Sequence, residues 1–455
     1  MKNTGKIIRN ISPTRLIVCS FIGIILIGTL LLMLPFSSKG ESVSFLTALF
    51  QATSATCVTG LSLFDIYTQL TLFGQTVFIF LIQIGGLGLA TLASGFILLF
   101  KGKMGFRNML VIGESSGSDY LDIKTLLRII LGFTFTCEFL GAVTLMIRFV
   151  PLYGTQGAWS SVFISISAFC NAGFDLLGFI PGNSSICVFY DDTLVCVTIS
   201  ALIFTGSLGF IVIDDIYANK IRDRFRLHRA GRLDFHSRIC IGSSFILLFL
   251  GMTAFLIFEN ENLLNGMSIP EKLNVSLFQS VNLRTAGFAS VDISSEESIT
   301  KMISCMIMFI GGSPGSTAGG IKVTTFAALF AAVLSNLRGY DEVRLLRHRI
   351  EKSQVYKALT IVMLGFIIVM ADVIVIHSID RSGTLINVLY ESVSAFATVG
   401  LTAGVTENLK VLGKVMIIVT MFIGRVGPAS LGIALLTGKK QKNEAILPDG
   451  RMIIG

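Results

Sequence analysis

Eight apolar stretches constrain this chain more than any other feature: 16–36, 70–100, 129–147, 193–213, 239–258, 302–337, 358–379 and 415–437. Each is long enough to cross a ~30 Å hydrocarbon layer, which takes about 20 helical residues. A bilayer offers no water to unpaired backbone groups, so spans must be helices or closed barrels, and runs of this length predict helices. Only 14% of the 455 residues are charged and 53% are hydrophobic, which excludes an ordinary soluble globule. The formal charge of +8 would fit a nucleic-acid binder, but such proteins carry their charge on a polar surface that this chain lacks, so no nucleic acid is expected as a partner. Eight cysteines include no C-x-x-C pair, so neither a zinc knuckle nor a disulfide framework is signalled. The first run follows Lys2, Lys6, Arg9 and Arg15 and ends in L-P-F-S-S-K, with no small-residue cleavage site. It reads as an uncleaved span rather than a leader peptide.

Basic residues set the orientation, because short cytoplasmic loops retain Lys and Arg during insertion. Lys220, Arg222, Arg224, Arg226, Arg229, Arg232 and Arg238 follow the fourth run, and Arg338, Arg344, Arg347, Arg349, Lys352 and Lys357 follow the sixth. Lys101, Lys103 and Arg107 after the second run, and Lys439, Lys440 and Lys442 after the eighth, place both termini on the cytoplasmic side of a plasma membrane. The same loops suit contact with anionic lipid headgroups.

Within each pair of runs lies a shorter, moderately apolar segment that is too short to cross. The four read F-Q-A-T-S-A-T-C-V-T-G ending at Gly60, F-I-S-I-S-A-F-C-N-A-G at Gly173, L-F-Q-S-V-N-L-R-T-A-G at Gly287 and Y-E-S-V-S-A-F-A-T-V-G at Gly400, at intervals of 113, 114 and 113 residues. Phe50, Phe163 and Tyr390 stand ten residues before the glycine, and Phe278 is displaced by one. A second landmark follows each copy: G-G-L-G from Gly85, G-S-L-G from Gly206, G-G-S-P-G from Gly311 and G-R-V-G from Gly424. The expected fold is an all-α polytopic membrane protein: eight transmembrane helices in four pseudo-symmetric repeats of span, re-entrant helix and span around a central pore. The repeats lie within 13–100, 101–217, 218–337 and 338–438, between cytoplasmic ends 1–12 and 439–455. Two spans return the chain to its starting side, so the copies share one orientation, unlike inverted carrier repeats.

Non-helical backbone at membrane depth is tolerated where it is buried in protein or lines a water-filled cavity. Four converging loops meet that condition and present carbonyl oxygens, ligands that replace the hydration shell of a monovalent cation. Glycine suits the turn because it accepts positive φ without steric cost. The candidate filter is therefore Gly60, Gly173, Gly287 and Gly400 with the preceding carbonyls of Val58, Thr59, Asn171, Ala172, Thr285, Ala286, Thr398 and Val399. The negative C-terminal ends of the short helices favour a cation there. Arg284 conflicts with a cation filter unless it points away and pairs with a carboxylate, for which Glu138 and Glu391 are candidates. Asp372 and His377 are expected near the outer end of their span, with no role assigned.

The sixth run is broken by G-G-S-P-G-S-T-A-G-G-I-K, where five glycines and Pro314 rule out continuous helix. A phosphate loop is excluded by the lack of Gly-Lys-Ser/Thr adjacency and by the membrane setting. Gly311, Gly312, Ser313, Pro314, Gly315, Ser316, Thr317, Ala318, Gly319, Gly320 and Lys322 form a candidate intramembrane gate. Arg425, at a matching depth, is expected to meet it below the filter and to hold it by hydrogen bonds.

T-C-V-T-G-L, F-C-N-A-G-F, R-T-A-G-F and A-T-V-G-L resemble the four filters of the superfamily of potassium transporters that includes the bacterial Trk and Ktr systems and the plant HKT proteins. G-G-S-P-G-S-T-A-G-G-I-K and F-I-G-R-V-G-P resemble its intramembrane loop and facing arginine. The tail P-D-G-R-M-I-I-G, residues 448–455, is most similar to the pore subunits of Ktr systems. The resemblance implies uptake of K+, with Na+ as activator and no organic cofactor in this chain. It also implies a homodimer with one pore per protomer, the tail near the dimer interface, and a cytosolic KtrA-like ring that binds ATP or ADP. Glycine in the first filter implies potassium rather than sodium permeation, which Gly60 matches. The competing reading is an alternating-access cation symporter with one occluded site. An enzyme is not expected, because three of the four histidines fall in cytoplasmic loops and the spans hold no acid–base constellation.

Overall fold

The structure, a computed structural model, describes residues 13–88, 123–181, 185–217, 233–381 and 383–428. The basic residues at 101–107 and 220–232 and both ends of the chain, including the tail 448–455, lie outside the described residues. Short helical turns aside, the chain runs α1 (Pro13–Leu32), α2 (Phe45–Cys57), α3 (Leu72–Leu87), α4 (Ile123–Phe169), α5 (Thr193–Ser207), α6 (Phe210–Ile216), α7 (Phe235–Phe258) and α8 (Ile269–Asn282). It continues through α9 (Ser298–Phe309), α10 (Val323–Leu337), a hairpin of β1 (Val343–Leu345) and β2 (His348–Ile350), α11 (Lys352–Val375), α12 (Leu385–Ala397) and α13 (Val411–Val426). The hairpin pairs Arg344 with Arg349 across antiparallel strands.

The predicted short segments are helices: α2, α8, α12 and the last part of α4, which bends at Gly154 (φ 59°, ψ −131°) soon after Pro151. The start of α8 is encoded locally. Ser268 and Glu271 close a capping box ahead of α8, with Pro270 in its first turn, and satisfy donors that a helix end otherwise leaves free. All four periodic aromatics, Phe50, Phe163, Phe278 and Tyr390, are fully buried. So are polar residues of the same segments, such as Gln51, Ser167, Asn282 and Ser394, whereas Phe80, Phe249 and Phe366 on other helices and Phe139 on the first part of α4 are exposed. Apolar side chains outside and polar ones inside suit hydrocarbon as the solvent, where close packing and internal hydrogen bonds replace the hydrophobic drive between helices.

Among the described residues, four helical stretches are long and apolar enough to cross a membrane: Arg15–Leu32, Leu127–Phe169, Phe235–Phe258 and Lys352–Asp380. Continuous helix over 193–213 is not what forms. α5 and α6 are bent by 95° at Leu208 and Gly209, and together they make the fifth candidate span. The second glycine of the G-x-x-G landmark accounts for such stops: Gly88, Gly209 and Gly427 have φ of 79°, 92° and 91°, values that end a right-handed helix. The first glycine of the landmark makes room. A methyl group on Gly85, Gly206 or Gly424 would collide with the carbonyl oxygen of Thr56, Phe169 or Phe396, each four residues before a loop glycine.

Neighbouring units interlock in a cycle. α3 touches α4, α5 touches α8, α9 touches α12, and α13 returns to α2. This closure brings the four short helices to one centre.

Candidate ion pathway

Each of α2, α4, α8 and α12 runs into a left-handed turn. Val58, Asn171, Thr285 and Thr398 have φ of 56°, 60°, 67° and 52°, and Gly60, Gly173, Gly287 and Gly400 follow at 99°, 69°, 84° and 91°. The left-handed conformation costs a residue with a Cβ roughly 1–2 kcal/mol, and local bonds hold it in place. Thr59 N donates to Ser54 O (2.8 Å), Ala172 N to Ser167 O (2.7 Å) and Val399 N to Ser394 O (2.8 Å), the long bond of a Schellman helix end. Side chains then clamp the turn: Ser394 Oγ accepts from Gly400 N (3.0 Å), Ser167 Oγ from Phe174 N (2.9 Å), and Asn282 Oδ1 from Phe288 N (2.9 Å). The Ser-Ala pair at 167 and 394 was the readable signal for this clamp, whereas the Ser54 hydroxyl of the first copy has no hydrogen-bond partner among the described residues.

The four glycines face one another around a single axis. A methyl group on Gly60 would lie 2.8 Å from Ala172 O, on Gly173 2.6 Å from Ala286 O and on Gly287 2.5 Å from Val399 O; on Gly400 it would collide with Thr59 O. Every loop thus abuts the next, and the fourth abuts the first. The structure thereby brings together all twelve residues of the candidate filter.

On one side of this ring opens a cavity of about 430 Å³, lined by the four glycines and by Asp65, Asp175, Asp292 and Glu407, one carboxylate after each loop. No lysine or arginine is among the residues that line it. Burial pushes the Asp175 carboxyl up to about 6, against the opposing pull of the Leu177 N–H. Hydrogen bonding from Ser294 holds the Asp292 carboxyl below its usual value.

Residues 311–322 lie on the other side. Gly311 N donates to Ile321 O (2.8 Å) and Val323 N to Gly312 O (3.1 Å), which closes the segment into a loop. Lys322 Nζ caps its inner turn at Ala318 O (2.6 Å). The loop and the break between α5 and α6 complete each other: Ser313 N donates to Ser207 O (3.1 Å), Thr317 N to Gly206 O (3.3 Å), and Phe210 N to Gly315 O (2.9 Å). Backbone groups freed by one irregular segment are satisfied by the other, as a membrane interior requires. Thr317 Oγ1 donates to Phe169 O (3.1 Å), while Gly319 and Gly320 lie against Thr398 and Ala397. The loop therefore packs under the second and fourth glycine turns. Arg425 donates to Thr317 O on the loop and to Gly85 O (2.5 Å) and Gly86 O (3.1 Å) on α3, so the loop and the arginine meet as expected.

One expectation fails. Arg284 is buried, but none of its guanidinium nitrogens has a hydrogen-bond partner among the described residues. Glu138 instead accepts from Gln83 Nε2 (3.0 Å), and Glu391 is engaged by Thr402, Ala403 and Thr406. Spacing could not foresee this, because both carboxylates are claimed by groups distant in sequence or beyond the loop. Asp372, to which no role is assigned, is fully buried and accepts from Thr420 Oγ1 of α13 (2.5 Å).

A helical chain with an apolar outside and a closed, polar, backbone-lined centre defines a polytopic membrane transport protein. Residues 7–444 match the TrkH family, described as cation transport protein, and the chain belongs to that family. It is 36% identical to Ktr system potassium uptake protein B of Bacillus subtilis, covering 98% of this chain and 97% of that protein. It is 35% identical to potassium/sodium uptake protein NtpJ of Enterococcus hirae, over 96% and 95% of the two chains. The fold is similar to that of the potassium transporter TrkH from Vibrio parahaemolyticus, with a TM-score of 0.68 at 18% identity over 92% of this chain and 85% of that one.

Proposed function

We propose that this chain takes up potassium across the bacterial plasma membrane through a channel-like pore formed by four repeats and eight spans, with both termini cytoplasmic. The observation that carries this is the closed cycle of glycine-on-carbonyl contacts from Gly60 through Gly173 and Gly287 to Gly400. In this reading main-chain oxygens of the ring coordinate a bare alkali cation, and the acidic cavity outside it concentrates cations at the entrance. Residues 311–322 with Arg425 act as the gate: the loop blocks the exit from the ring, and the guanidinium adds a positive barrier while holding the loop. The names of the B. subtilis and E. hirae relatives support potassium as the cargo, and the latter supports a part for sodium as activator. The word system in the former supports a regulatory partner, in our reading a cytosolic nucleotide-binding ring acting on a homodimer. A continuous single-axis ring favours a pore over an alternating-access symporter.

The test is growth of a potassium-uptake-deficient bacterium on limiting K+, with Rb+ influx measured in the same cells. The chain restores both, and Gly60→Ser shifts preference toward Na+. Normal membrane insertion without Rb+ influx would overturn the proposal.

A further inference from the structure

We infer that Glu391 is the positioning residue that fixes the fourth glycine loop, and thereby a determinant of which alkali cation passes; this rests on the pore reading above. Glu391 lies on α12, nine residues before Gly400, fully buried. Both carboxylate oxygens reach past the loop to the segment beyond it. Thr402 Oγ1 donates to Oε1 (2.8 Å) and Oε2 (3.1 Å), Ala403 N to Oε2 (3.1 Å) and Thr406 N to Oε1 (3.0 Å). Thr406 Oγ1 donates to Oε1 as well. Every partner is a donor, and a carboxylate is the side chain that offers acceptors alone.

The other loops show what the tether is for. In the first, Gln51 holds the same place nine residues before its glycine and donates to Ser62 Oγ (2.7 Å), which is two residues after Gly60 as Thr402 is two after Gly400. The second loop has apolar Ile164 at that place, and the third, one residue shorter between its aromatic Phe278 and Gly287, has Gln279, which donates to Glu296 Oε1 (3.4 Å). These two loops are joined to each other through one segment: Ser185 bonds Asp175 and accepts from Ala289 N (3.1 Å), while Ile186 N donates to Ala289 O (3.0 Å). The position two residues beyond each glycine is thus tied down in all four loops by unrelated means. Glu391 is the tether with the most bonds, and Thr402, which it holds, lines the outer cavity beside Gly400.

Glu391→Gln keeps the shape but turns an NH2 group toward donors, which forces the segment at 402–406 to shift and loosens the carbonyl geometry at Gly400. In proteoliposomes of the full chain, Rb+ influx and its competition by Na+ give the ion preference. Glu391→Gln lowers Rb+ preference over Na+ about tenfold, as expected for losing one charge-assisted bond, with the unfolding temperature near that of the parent. If Glu391→Gln does not fold, Thr402→Val, which removes a single donor, decides in the same assay by a smaller shift in the same direction. Gly400→Ser is run alongside. Unchanged ion preference in the Glu391 and Thr402 variants, with preference lost in Gly400→Ser, overturns the inference. Unchanged preference in Gly400→Ser as well overturns the pore reading itself.

Discussion

Replacing Arg425 by alanine isolates the contact on which the gate depends. Its guanidinium bonds three carbonyls, but Gly85 O and Gly86 O belong to α3 and Thr317 O alone belongs to the loop. Bonds to α3 are available whether or not the loop stays, so they cancel between closed and open states. The differential loss is one hydrogen bond from a charged donor, about 1.5–3 kcal/mol. At 1.36 kcal/mol per factor of ten, the open-to-closed ratio rises roughly 12- to 160-fold. Rb+ influx into proteoliposomes of the full chain should rise by up to that factor, levelling where the pore is open all the time. Arg425→Lys, which keeps the charge with a compact head, should give an intermediate rise and so separates holding of the loop from electrostatic repulsion of the ion. Unchanged or lower influx in Arg425→Ala protein that migrates and melts like the parent would refute the reasoning.

Gly319→Ala pushes a methyl group onto the Thr398 side chain; it should lift the loop from the fourth glycine turn and raise Rb+ influx, read in the same vesicles. Gly424→Ala drives a methyl group into Phe396 O, which cannot rotate away. It should cost about 1–3 kcal/mol of packing and lower the unfolding temperature in detergent. Asp175 should make uptake sensitive to external pH. With its carboxyl pushed up to about 6, it is charged at pH 7.5 and neutral at pH 5, so uptake at subsaturating K+ should fall roughly twofold as pH drops through that range, one of four entrance charges being lost. Asp175→Asn should show the lower rate throughout, with a flatter pH profile.

Much of the candidate site was legible because it rests on backbone rules that act within a few residues. A glycine behind a short buried helix, repeated at one period, pointed to left-handed turns, and the structure has them at Gly60, Gly173, Gly287 and Gly400. It extends them to Val58, Asn171 and Thr398, where no glycine marks the conformation because the Schellman bonds impose it, and to Thr285, whose turn is held by Ala286 N donating to Asn282 O (3.1 Å). The second landmark was visible but its purpose was not, since the collision of Gly85 with Thr56 O or of Gly424 with Phe396 O appears only once the two helices are packed. Arg284 shows where local reading stops. Its charge called for a carboxylate, but Glu391 was already committed to Thr402, Ala403 and Thr406.

By itself, the sequence determined that this chain lives in a bilayer and that four copies of one helix-and-turn device recur along it, since length, hydropathy and glycine spacing act through solvent and through φ alone. Only the tertiary structure decided that the four turns close on one axis, that the broken helix at Gly209 and the loop at 311–322 satisfy each other's backbone, and which buried carboxylate serves which partner. Those outcomes depend on groups tens to hundreds of residues apart meeting at hydrogen-bond distance, and in an interior without water every unmade bond is costly enough to choose the arrangement.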